Sequence, residues 1–250
     1  MSIPQFARWI LQGFVIFAFL ILVVLLTSLA INFRYRRKAE RPLEDVQSLR
    51  VGQSTTADVL RIMSSNGGGP GQSSSSSCTP MDGAYDVWTG SQSIERLEQS
   101  VPVLRRFGLR QWATAATVIL REGRVCYVRY GVDMMDHSGE WEWVIDTKLL
   151  PAGQLSVSGT EYSAYRIGTK DFKGMRMLRS ELAPGATEEK RRRAFTYDFS
   201  CVTSFRGCGQ RCEISPLVWQ DVYQDSLQAG WKLPIEETSD PRCAFAEKVQ

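Results

Sequence analysis

From Ile10 to Ile31 the chain reads ILQGFVIFAFLILVVLLTSLAI, a run of 22 residues without a charged side chain. At about 1.5 Å of rise per residue, a helix of this length crosses a hydrocarbon core roughly 30 Å thick. Such a helix satisfies its own backbone hydrogen bonds in lipid. Trp9 and Tyr35 stand at the two ends, where amphipathic rings favour the headgroup region. A core helix of a soluble protein seldom stays apolar around its whole circumference for this length. A cleaved signal peptide has the small pair Ser28 and Ala30 in its favour, but the apolar run is overlong and Arg8 alone supplies a leading positive charge. With no cysteine near its end, the segment does not read as a lipoprotein anchor. The expected organisation is a tail over 1–9, a transmembrane helix over 10–31, a basic juxtamembrane connector over 32–48 and a body over 49–250. Pro42 is expected to limit helix propagation through the connector.

The formal charge of +3 does not point to a nucleic acid. Arg34, Arg36, Arg37, Lys38 and Arg41 follow the apolar run at once, where cations meet anionic headgroups. Setting these five aside with Arg8 and Glu40 leaves 24 of the 30 basic and 26 of the 27 acidic side chains, so the remainder is slightly acidic. A nucleic-acid footprint needs a basic face on the folded body instead. The cluster Lys190 to Arg193 reads as a solvated turn.

Sidedness receives two opposed signals. Five cations after the helix against one before it favour a cytoplasmic body. Six cysteines with no C-x-x-C pair favour a disulfide framework in an oxidising compartment, and the expectation leans to the extracytoplasmic side.

Along the body, Thr55 followed by Asp58 is a capping signal, with Val59, Leu60, Ile62 and Met63 as the apolar stripe of a short helix that Asn66-Gly67 ends. The run 64–77, SSNGGGPGQSSSSS, carries no apolar side chain and is expected to be a mobile loop. Two strands within 112–132 meet at a turn tipped by Glu122-Gly123, with Cys126, Val128, Tyr130 and Val132 on one face. Further strands are expected at WEWVI, QLSVSG, SAYRIG, MRMLRSEL and RAFTYDFSCV, in a mostly antiparallel sheet with one wet face. A last helix starts with Ser215 as cap and Pro216 as first residue, carries Trp219, Val222, Tyr223 and Leu227 on one face, and closes at Gly230. The fold class is α+β.

Two places hold chemistry-bearing residues. Cys201, Cys208, Cys212 and Cys243 are disulfide candidates; a Cys201–Cys208 bridge closes a short loop, Cys212 has Cys243 as a partner and Cys78 has Cys126, but spacing does not select among fifteen connectivities. A zinc site built on Cys208-x3-Cys212 lacks a second close pair, and a catalytic cysteine has only His137 as a base. The stretch DMMDHSGEWEW gathers Asp133, Asp136, His137, Glu140 and Glu142, the residue types of a metal or acid–base site, although glycine and charge are also ordinary loop material. No phosphate-binding glycine loop, H-E-x-x-H or G-x-S-x-G is present, and no cofactor is expected.

The boundary NFRYRRKAE over Asn32 to Glu40, the start LRVGQSTTADV with Gly52, and the series Cys201, Gly207, Cys208, Pro216 and Trp219 resemble a family of uncharacterised single-pass bacterial membrane proteins. That resemblance spans most of the chain and implies no activity. VGQSTTADV is also similar to the helix start of the outer-membrane lipoprotein SmpA/OmlA group, with Val59 one place further from Gly52 and without the lipoprotein cysteine. The expected function is that of a membrane-anchored, non-enzymatic cell-envelope protein. Its partners are the lipid bilayer through residues 10–31 and another envelope protein, not a nucleic acid. The competing reading is a membrane-tethered metal-dependent hydrolase using residues 133–142.

Overall fold

The structure is a computed structural model that describes residues 3–90, 92–107, 111–135, 141–155, 157–163, 174–204, 207–208, 210–228 and 243. Helix α1 runs without a break from Ile3 to Ser48. Its lipid-length part is bare: the large apolar side chains from Trp9 to Val24 are all exposed. Its last part is not bare. Ser28, Asn32, Ala39, Leu43 and Val46 are buried at helical spacing, and the last three join the main core with Leu49.

The connector expected over 32–48 is therefore helix, and residues 39–49 belong to the core of the body rather than to a tether. Pro42 lies inside this helix. Its missing N–H deprives the Lys38 carbonyl of its usual donor four residues on. Thr89 Oγ1 donates to that oxygen at 3.4 Å, and the buried Tyr130 hydroxyl donates to the next carbonyl, Ala39, at 2.8 Å. Two sheet side chains thus take up the helix's exposed acceptors, while arginine, lysine, alanine and glutamate around the proline favour the helix.

Among the described residues the sheet has seven strands, numbered in chain order and standing in the order β1-β2-β3-β4-β5-β7-β6. β1 (Gly69–Pro70), β2 (Gly83–Gly90), β3 (Trp112–Arg121), β4 (Arg124–Met135) and β5 (Trp141–Leu149) pair antiparallel in turn. β7 (Gly174–Leu182) joins β5 parallel, and β6 (Val157–Ser163) pairs antiparallel with β7 at the edge. The α+β class and the mostly antiparallel sheet are as the sequence leads one to expect, with one parallel pairing inside it. The expected SAYRIG strand lies almost wholly outside the described residues, and β6 ends at Ser163.

One face of the sheet carries the main core. α1, α2 (Thr56–Ser65) and the chain from Ala194 to Val222 close over Val118, Leu120, Val128, Tyr130, Val132, Ile145 and Leu178. α2 starts with the expected capping box: the Asp58 N–H donates to Thr55 Oγ1, and the Asp58 carboxylate accepts from the Thr55 N–H. The β3–β4 turn has Glu122 at φ 54° and Gly123 at φ 68°, the paired positive angles that a two-residue hairpin requires.

Four local expectations are corrected. Cys126 does not share a face with Val128, Tyr130 and Val132. Between the pairs Leu120↔Val125 and Ile119↔Tyr127 it is the extra residue of a bulge, and it packs on the other face with Cys78, Ala84 and Ile119. RAFTYDFSCV is not a strand. Thr187 caps α4 (Glu188–Ala194), whose acidic first turn and basic last turn suit the helix dipole; an irregular stretch and a 3-10 turn over Ser200–Thr203 follow, and Phe195, Tyr197 and Phe199 alternate because they pack onto the sheet from above. Lys190 to Arg193 is accordingly helical, with Arg191 buried and not solvated. The run 64–77 is fastened to the sheet: Gly69 and Pro70 pair with β2, Ser73 Oγ donates to Asp86, and Cys78 follows in a bridge. A side chain at Gly68 would stand 2.5 Å from Val87 Cγ2, so its glycine permits close approach to β2.

The remaining described α-helices are α3 (Gln92–Ser100), between β2 and β3, and α5 (Arg211–Ile214) and α6 (Pro216–Gln228) after the sheet. Trp219 and Val222 of α6 enter the core as expected; Gly230 lies outside the described residues.

Candidate functional site

Two regions combine the chemistry that the sequence singles out. The first is the membrane boundary of α1. Arg34, Arg37, Lys38 and Arg41 are exposed and fall on one side of the helix, opposite the buried stripe. Arg37 lies 4.7 Å from the centre of the Phe33 ring, and Lys38 lies 5.7 Å from that of Tyr35. Arg36 turns the other way. Its Nε pairs with Glu40 at 2.7 Å and its Nη1 donates to Thr203 at 3.4 Å, so it holds the 3-10 turn to the helix rather than facing headgroups. Tyr35, expected at the headgroup level, is half-buried against the core.

The level at which the body begins can be read from helix length. The charge-free run, expected to cross the bilayer, ends at Ile31. Ser28 is the first buried residue from Ala7 onward, only 7% exposed. The body therefore meets α1 within the last turn of the apolar run, with no slack chain between them.

The other end of α1 is closed by a cation. Arg191 Nη2 donates to the carbonyls of Gln47 and Leu49, two acceptors that a helix C-terminus leaves without partners. Burial pushes its pKa down to about 10, with the nearby Arg50 charge adding to this and Glu188 opposing it. Arg50 pairs with Glu188 at 2.9 Å alongside.

The second region is the sheet face opposite the main core. A charged row crosses three strands there. Arg129 Nε on β4 pairs with Asp146 Oδ1 on β5 at 2.7 Å; Lys148 Nζ lies 3.3 Å from Asp146 Oδ2 and 2.9 Å from Glu181 Oε1 on β7. The Asp146 side chain is 3% exposed, so its charge is compensated by these cations rather than by water. Sequence reading missed this row, although alternation along DTK and RSEL aims these residues to one side.

Of the acidic stretch, Asp133 and Glu142 are described and Asp136, His137 and Glu140 lie outside the described residues. Asp133 faces Val144 and Met135 faces Glu142, so the two carboxylates are diagonal neighbours on the charged face. Burial holds Asp133 above the usual carboxylate range; Arg129 pulls it back and Asp146 pushes it further up. Burial also raises Glu142, and the charge of Asp133 adds to that. A carboxylate raised on folding favours the folded state most while protonated, and that contribution fades as pH climbs through the folded-state value. Asp133→Asn is expected to melt above the parent protein at pH 7 and level with it at pH 3, measured by thermal unfolding across that range. An equal effect at both ends would contradict the assignment.

All six cysteines are paired: Cys78 with Cys126, Cys201 with Cys208 and Cys212 with Cys243, at Cα separations of 6.0, 4.7 and 5.6 Å. These fall in the range that bridges occupy. Cys201 to Thr203 sit beside α1, with Thr203 at Arg36, and Cys243 is bridged to Cys212 on α5, its carbonyl accepting from Trp219 Nε1 at 3.3 Å. Cys201, Cys208 and a Glu213 carboxylate oxygen lie within 4.8 Å of one another, but both sulfurs are used in their bridge, and Cys212 is used in another. The Cys208-x3-Cys212 metal pair is therefore absent from this arrangement.

No family model, curated protein or solved structure matches the chain.

Proposed function

We propose that this is a membrane-anchored, non-enzymatic protein of the cell envelope, whose α+β body serves as a binding or structural module held against the bilayer on its extracytoplasmic side. The observation that carries the reading is the single helix that is bare over a lipid-spanning length and buried in the body's core immediately afterwards. A catalytic domain on a tether gains from freedom to search; a module whose anchor is part of its core presents a fixed face at a fixed height. The pairing of all six cysteines supports the oxidising side of the membrane. The cations after the helix argue for the other side, and one experiment separates the two. Alkylation of intact cells followed by denaturation, with and without reduction, is expected to label the six cysteines only after reduction, in protein that pellets with membranes. Thiols labelled without reduction would overturn the placement.

The second reading, a membrane-tethered metal-dependent hydrolase, is favoured by Asp133 and Glu142 sharing the charged face, one on each side of residues 136–140 in the chain. Stoichiometric metal in the purified full chain, lost in an Asp136→Ala, His137→Ala double variant, would support it over the first.

A further inference from the structure

The strands give the body a membrane-facing end. At its far end the β3–β4 turn lies against the chain just past α1: the Gly52 N–H donates to Val125 at 2.7 Å and the Thr56 N–H to Gly123 at 3.1 Å. Higher up, Asn66 reaches Asp45, and above that Thr89 reaches Lys38. β2 therefore climbs alongside α1 toward the bilayer and ends one residue later, at Gly90. Lys38 lies seven residues beyond Ile31, or about 10 Å along the helix, and Gly90 is about 3 Å closer to the lipid. The headgroup layer itself adds roughly 5–7 Å on each side of the hydrocarbon. The connection from Gly90 to Trp112 thus starts and finishes at headgroup height.

The described residues of that connection include α3 and a 3-10 turn, Pro102–Phe107. Ile94 and Glu98 of α3 are buried, which fixes the helix on the body. At its end three successive residues face outward: Val101 is 39% exposed, Val103 is 52% exposed and Pro102 between them is exposed too. Trp88, two residues before the end of β2, is 70% exposed at the same height, and tryptophan is favoured at membrane interfaces. An apolar tip of this kind has no gain from water and has a lipid surface beside it.

We infer that the Val101–Pro102–Val103 tip rests in the bilayer interface, giving the body a second contact with lipid besides α1. This rests on the reading of α1 as membrane-spanning. Two contacts, one axial and one lateral, also fix the tilt and rotation of the body, which a single helix leaves free. The charged row on Arg129, Asp146, Lys148 and Glu181 is then held in one orientation to the membrane.

The test places a photoreactive diazirine amino acid at Val103, at Phe17 or at Leu155 in the full chain, reconstituted into vesicles of phosphatidylcholine and phosphatidylglycerol. Phe17 is exposed within α1, and Leu155 is exposed between β5 and β6, at the end of the sheet where Leu149 pairs with Val128. Lipid adducts after illumination are expected at Phe17 and Val103, with the Val103 yield at least about tenfold that at Leu155, as for a site within the headgroup boundary against one outside it. Adducts at Phe17 with Val103 no higher than Leu155 would overturn the second contact and leave the anchor standing. No adduct at Phe17 would overturn the anchor, and the inference with it.

Discussion

A chain cut to 28–250 is expected to fold and to leave the membrane, whereas a chain cut to 49–250 is expected not to fold at all. The first keeps the buried residues of α1 from Ser28 onward, and the side chains it loses between Ala7 and Thr27 face outward, Leu25 in part. The second keeps all of the sheet yet loses Ala39, Leu43 and Val46 from the core. Burying a valine or leucine side chain stabilises by about 1.5–3 kcal/mol, before any penalty for the cavity. The Tyr130 hydroxyl, buried on β4, would lose its acceptor on Ala39 as well, at about 1–3 kcal/mol. Against a typical stability of about 5–15 kcal/mol these losses leave little or nothing. Circular dichroism melts of the two fragments, made under oxidising conditions, give the comparison. Cooperative unfolding of 49–250 within a few degrees of 28–250 would mean that α1 is only an anchor.

Replacing Arg191 by alanine is expected to produce the largest effect of any single charged side chain outside the membrane segment. The guanidinium holds the Gln47 and Leu49 carbonyls at the point where α1 ends inside the body. Its removal leaves the Leu49 carbonyl without this donor and Gln47 with only the long 3.4 Å bond from Arg50 Nη1, at about 1–3 kcal/mol for the first and less for the second. A total near 2–4 kcal/mol lowers the melting temperature by on the order of 5–12 °C for a body of this size. Arg191→Lys, with one head where the guanidinium has a fork, is expected to recover only part of this. Arg193→Ala provides the contrast: that side chain is more exposed and pairs with Asp221 near the surface, so its loss is worth less than about 1 kcal/mol. Equal effects at 191 and 193 would show that the cap is not what secures the helix end.

What the sequence discloses depends on how local the cause is. The capping box at Thr55 and Asp58, the Glu122-Gly123 turn and the Trp219–Val222 part of the α6 face are each set by residues within a few positions of one another, and all three stand where their signals put them. The continuity of the long helix through Pro42 is not legible locally because the groups that accommodate the proline, Thr89 and Tyr130, lie on strands far along the chain. Alternation puts Cys126 on the wrong face because strict alternation fails at a bulge, and nothing in GRVCYVRY marks the extra residue. The aromatic alternation of RAFTYDFSCV has the period of a strand although the cap at Thr187 starts a helix just before it. At the candidate sites, the boundary arginines were legible as a cluster, but not that Arg36 would turn inward to Glu40 and Thr203. The charged row needed the register of β4, β5 and β7, including a parallel pairing that skips a strand in the chain order.

Amide hydrogen exchange over residues 7–48 of the full chain in lipid nanodiscs goes straight to the question of whether one helix both crosses the bilayer and enters the core. Slow exchange is predicted in two adjoining blocks, one shielded by lipid up to about residue 31 and one shielded by the body from there through Val46, with the second block exchanging as slowly as the central strands β3 and β4. Rapid exchange across 32–46 in a protein whose strands stay protected would instead reveal a loose tether, and the rigid mount would be wrong.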